Sequence, residues 1–122
     1  MMAVITRNHF VISNFNTDPS ALTRYTDSFT LYDQSTDPKI RDAIVARYPQ
    51  AVLSMNCGHS LANFFNFVAD YYEDLPEVVA FLKSNVIGRH VTEKFFESRI
   101  SNAVYTPLFD DPAFKPSLGI AS

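Results

Sequence analysis

Three short stretches of this sequence carry side chains able to act on a ligand. Asp33 closes the apolar run Ser28-Phe29-Thr30-Leu31-Tyr32, on the rim where parallel sheets bind their ligands. Asp-Gln-Ser-Thr-Asp-Pro is also turn chemistry in its own right, so a plain turn residue is the competing reading. Asn56, Gly58 and His59 lead into the strongest helical pattern of the chain. Free amides and the helix dipole favour an anion at such a place, and a glycine lets the backbone come close to it. The competing reading there is an ordinary strand-to-helix turn capped by Ser60. Asn85, Arg89 and His90 follow the fourth apolar run. Arginine suits bidentate phosphate binding, and histidine can donate a proton or ligate a metal; solvated loop side chains are the alternative.

Other reactive types fall outside any working pattern. His9, His59 and His90 lie far apart and lack metal-ligand spacing, so no metal residues are assigned. Cys57 is the single cysteine, which excludes an internal disulfide framework and a multi-cysteine zinc site. It reads as a buried, inert thiol. Glu93 and Glu97 share a helix face opposite the apolar stripe and read as solvated. No general base is identifiable, so the catalytic residues are unassigned.

The scaffold for these groups is legible in the hydrophobic pattern. Phe10 to Phe15, Ser28 to Tyr32, Ala51 to Met55 and Val78 to Leu82 read as strands. Val78 to Leu82 is apolar throughout, as in a central strand covered on both faces. Between them lie a brief helix opened by Pro19 and one that Asp37-Pro38 caps and starts, with Ile40, Ile44 and Arg47 at helical spacing. A longer helix runs from Ser60 to about Tyr72, with Leu61, Phe64, Phe65, Val68 and Tyr72 predicted to face the core. Thr92 opens a last helix with Phe95, Phe96 and Ile100 inward. This alternation predicts an α/β fold: a small, mostly parallel sheet of about four strands with helices on both faces, a Rossmann-like half. Ligands of such sheets bind outside the carboxyl ends of the strands.

Composition bounds the function. The hydrophobic share of 47%, with eleven Phe and six Tyr, suffices for a single core in 122 residues. A net charge of −3 without any basic run argues against nucleic-acid binding. No apolar run approaches the roughly 20 residues of a membrane helix, and no secretory leader is visible, so the cytoplasm (a host cytoplasm, were the source viral) is the expected compartment. Residues 1–109 read as one domain and 110–122 as an irregular tail punctuated by prolines.

Three pieces together resemble an uncharacterised domain family related to the A-type nucleotide-diphospho-sugar glycosyltransferases. They are Ile12-Ser13-Asn14-Phe15-Asn16 with Leu31-Tyr32-Asp33-Gln34-Ser35; Asn56-Cys57-Gly58-His59 leading to Phe67 through Pro76; and Val79-Ala80-Phe81-Leu82-Lys83-Ser84-Asn85. The resemblance covers residues 10 to 109 and implies a nucleotide diphosphate sugar as ligand, with Asp33 near the nucleoside. Those transferases usually hold Mn²⁺ or Mg²⁺ on an Asp-any-Asp triplet near the fourth strand, where this chain has Lys83-Ser84-Asn85. The resemblance therefore implies a domain that either binds such a metal by other means, works without it, or is catalytically reduced. A non-catalytic binding or interaction module of the same fold, or a subunit of a larger assembly, stands as the alternative, and the oligomeric state is open.

Overall fold

The β-branched and aromatic runs do become strands. The structure, a computed structural model, describes residues 6–54, 59–89 and 91–101, the side chains of 59–61 excepted. The strands are β1 (His9–Asn14), β2 (Phe29–Asp33), β3 (Val52–Leu53) and β4 (Val79–Lys83). The helices are α1 (Ser20–Thr23), α2 (Pro38–Arg47), α3 (His59–Asp70) and α4 (Glu93–Arg99), with a 3-10 turn over Tyr72–Asp74. All strand pairs are parallel, in the order β3-β2-β1-β4. Asn14 pairs with Asp33, and Ser13 with Lys83.

That order reverses at β1. The chain steps from β1 to β2 to β3 in one direction, then returns across the sheet to β4. Right-handed crossovers then require α3 to lie on the face opposite α1 and α2, and the packing agrees. On one face Phe10, Ile12, Leu31 and Leu82 pack with Leu22 of α1, Ile44 of α2, Phe96 of α4, and Ile100 just after it. On the other, Val11 and Tyr32 pack with Phe67 of α3. The expected α/β sheet of four strands with helices on both faces is therefore present.

Local capping explains where two helices begin. Asp37 accepts a hydrogen bond from the Lys39 amide and Pro38 takes the first helical position, as expected. Thr92 accepts from the Phe95 amide at the start of α4. The loop from β4 to α4 turns at Gly88, whose φ of +90° suits glycine alone. It is tied by Gly88 N to Val91 O and by Val91 N to Val86 O.

Three expectations are corrected. Among the described residues β4 is an edge strand, not a central one, and Phe81 is 44% exposed; an apolar run reports hydrophobicity, not neighbours. The third strand shrinks to Val52–Leu53, both exposed, because only the carboxyl end of β2 pairs with it. In α3 the buried side is Asn63 and Phe67, with Phe64 and Val68 beside them, while Phe65 and Tyr72 are 65% and 72% exposed. A polar Asn63 on the inward side hid the true direction of the stripe. The predicted tail, 110–122, lies outside the described residues.

His9 is fixed at the amino end of β1. Its ring stacks on Phe67 at 5.5 Å, and its nitrogens meet Ser28 Oγ at 2.7 Å and Thr30 Oγ1 at 2.9 Å. Burial pushes its pKa below the ordinary 6.5. The unfolded chain thus takes up this proton at higher pH than the folded one. The stability that neutral His9 contributes is fully present above about 6.5 and is lost as pH falls below it. Urea midpoints between pH 7 and pH 5 should therefore fall further for the native chain than for His9→Gln; parallel curves would contradict this. At pH 7, Asp37→Ala and Thr92→Ala should each lower unfolding free energy by about 1 kcal/mol, read from the same titrations.

Candidate functional site

The carboxyl ends of β1, β2 and β4 meet in a buried polar cluster. Strand alternation sends Asn14 to the face of Ile12 and Phe10, and Ser13 to the face of Val11. Asn14 is fully buried. It accepts a hydrogen bond from Ser84 Oγ just after β4, and its Nδ2 donates to Asp33 Oδ1 at 3.0 Å, at the end of β2. Ser35 adds two more donors to the same oxygen, Oγ at 2.6 Å and the amide at 3.3 Å.

Asp33 is thereby an uneven group. Oδ1 accepts three hydrogen bonds, while Oδ2 is buried and has no partner. An unpaired buried polar oxygen costs about 1–3 kcal/mol, more when charged, so proteins keep one where something else satisfies it. On the opposite face Ser13 Oγ accepts from Asn63 Nδ2 at 2.8 Å and Gln34 Nε2 at 3.3 Å, and Asn63 accepts from Ser54 Oγ at 3.1 Å. The two half-networks flank the point where strand order reverses, which is where ligands of open parallel sheets sit.

The loops above this cluster are stitched together. Asn16, at a left-handed φ of 52°, accepts from the amides of Thr36 and Asp37 at 3.0 Å each, and its own amide donates to Ser35 Oγ at 2.8 Å. Asparagine tolerates that conformation better than most residues. With Asp37 capping Lys39, side chains occupy the amides that would otherwise invite an anion to the start of α2. In this respect the rim differs from a glycine-rich phosphate loop.

The expected site residues divide. Asp33 joins the cluster, as the buried last residue of β2 and not as an exposed turn residue. Asn85 is half-buried in the loop that Ser84 begins, and Arg89 is exposed farther along it. No hydrogen bond among the described residues joins the Arg89 side chain to Asp33 or Asn14. His59 opens α3, but its side chain, and Asn56, Gly58 and His90 altogether, lie outside the described residues, as does Cys57. Sequence reasoning passed over Ser13, Asn14, Ser35, Asn63 and Ser84 as site residues. The available signal was a polar residue ending each apolar strand, and one asparagine on the inward side of an apolar helix.

A second polar cluster corrects the reading of Glu93 and Glu97 as simply solvated. Tyr25 Oη donates to Glu97 Oε2 at 2.7 Å and lies 3.1 Å from Glu93 Oε2, which also pairs with Arg24. Burial and then the two carboxylates raise the phenol well above its usual range, so Tyr25 acts as a donor tying the turn after α1 to α4. An open cleft of about 330 Å³, lined by Ala69 through Asp74, lies at the far end of α3 and touches none of the expected site residues. Among the described residues no three His, Cys, Asp or Glu side chains converge as a metal group, and no helix is long and apolar enough to cross a membrane.

Comparison with protein-family models, curated proteins and solved structures finds no match to this chain.

The uneven Asp33 predicts an uneven response to mutation. Asp33→Asn, which removes a buried charge while keeping its shape, should leave stability unchanged or raised in the absence of ligand. Asn14→Ala strips a partner from both Asp33 and Ser84 and should lower unfolding free energy by about 3 kcal/mol. Denaturant melts of both variants check this; equal losses would make the Asp33 charge a requirement of folding.

Proposed function

We propose that this chain is a glycosyltransferase-like domain that binds a nucleotide diphosphate sugar at the rim where β1 and β4 diverge. The binding does not use the customary metal carboxylates. The observation that carries this reading is Asp33: a buried carboxylate at the end of β2, with one oxygen saturated and the other open, beside the reversal of strand order. Acidic residues at this place in nucleotide-binding parallel sheets accept hydrogen bonds from a ribose hydroxyl. Hydroxyl donors are what Oδ2 lacks. Since Oδ2 is buried in the free domain, binding requires the loops above it to move. The loop after β4 contributes Asn85 and the exposed Arg89, a guanidinium suited to a diphosphate.

The test is an amide NMR titration with uridine and guanosine diphosphates and their sugars, with and without Mn²⁺. Saturable shifts at Asn14, Asp33, Ser84, Asn85 and Arg89 are expected, without a metal requirement. Asp33→Asn should weaken binding about tenfold, the loss of one hydrogen bond to a charged group. Silence at millimolar ligand sinks the reading. Hydrolysis or transfer of the bound sugar separates a working transferase from a non-catalytic binding module.

A further inference from the structure

The two edges of the sheet are unlike. β3 is a two-residue edge, too short to template another strand, whereas β4 offers five residues. His9 N donates to Val78 O, and Ser84 N to Ser13 O. Even-numbered residues of β4 therefore direct their backbone groups at β1. Val79, Phe81 and Lys83 direct theirs outward, and among the described residues no strand pairs with them.

This edge has little of the protection that edges normally carry. Val79 is half-buried and Phe81 is 44% exposed, both on the α3 face of the sheet. Phe64 of α3 touches Phe81, at 5.1 Å between ring centroids. Charge is arranged along the edge with opposite signs at its ends: Glu77 lies two residues ahead of β4 and Lys83 is its last residue, both exposed.

We propose that two copies of this chain join through the outer edges of their β4 strands, antiparallel, in the register that sets Val79 against Phe81 and Glu77 against Lys83. Only odd-numbered residues can exchange ladder bonds across this edge. Centring the two-fold axis on Ala80 pairs residues 79 with 81 in the ladder and sets Glu77, in the bend just before β4, beside Lys83 of the other copy, twice each. The apolar pairs then meet in the middle and opposite charges meet at both ends, each pair favourable across an antiparallel ladder. The register shifted by two, centred on Phe81, sets Lys83 against Val79 and leaves Glu77 opposite Asn85, without charge pairing. A two-fold axis perpendicular to the sheet also brings both α3 helices to the same side. The product is an eight-stranded sheet with an isologous interface.

Sedimentation velocity of the full chain from micromolar to submillimolar concentration tests this, with amide hydrogen exchange at Val79, Phe81 and Lys83. The expected result is a concentration-dependent dimer whose formation slows exchange at those three amides. Glu77→Lys and Lys83→Glu, both at exposed positions, should each weaken the dimer about tenfold, and the double swap should restore it. A monomer throughout the range overturns the proposal. So does a dimer indifferent to both swaps, which would place the contact on another surface. A strand-shaped peptide partner in place of a second copy would leave the pure chain monomeric and gives the same negative answer.

Discussion

Asn14 is the group on which the arrangement of the rim depends. It is the last residue of β1, it is fully buried, and its amide reaches both neighbouring strands at once, Asp33 on one side and Ser84 on the other. A buried carboxamide must find partners for its donors and its acceptor. Here it finds them only if β1, β2 and β4 end level with one another. A one-residue slip of β1 would turn Asn14 to the α3 face and leave Ser13 or Phe15 in its place at the polar node. The same alternation sends Ser13 the other way, to Asn63, so that one strand end anchors polar contacts on both faces.

That anchor gives a rim held by side chains where many nucleotide-binding sheets are held by glycine backbone. The connection after β1 runs Asn16-Thr17-Asp18-Pro19, and Asn16 occupies amides at the head of α2 while Asp18 Oδ1 accepts from the Ser20 amide. Hydrogen-bonding capacity around these loops is largely consumed within the protein. The open Oδ2 of Asp33 stands out against this background, because every other side-chain oxygen of the node is engaged.

The two faces of the sheet are unequally dressed. Three helices cover the face of Phe10 and Ile12, and the tie from Tyr25 to Glu93 and Glu97 joins the turn after α1 to α4 across it. Among the described helices α3 alone covers the other, which leaves Phe65, Tyr72 and Phe81 substantially exposed. Right-handed crossovers put α1 and α2 on the first face and α3, the connection from β3 to β4, on the second; α4, which follows β4, packs on the first.

The order of residues alone was enough for the number and succession of the elements, the parallel α/β class, the starts of α2 and α4, and Asp33 as a residue to examine. Those features rest on local rules: apolar runs, proline placement and capping chemistry act over a few residues and are legible without neighbours. Assembly of the sheet was needed to settle which strands are central, which side of α3 is inward, and which polar residues meet. An apolar run such as Val78 to Leu82 reads alike at an edge or in the middle of a sheet, since its composition carries no information about what lies beside it. Asn14, Ser35, Asn63 and Ser84 are ordinary polar residues at separations of up to 70 positions, and nothing local marks them as partners. Their burial together comes from register and crossover direction, which are properties of the assembled sheet.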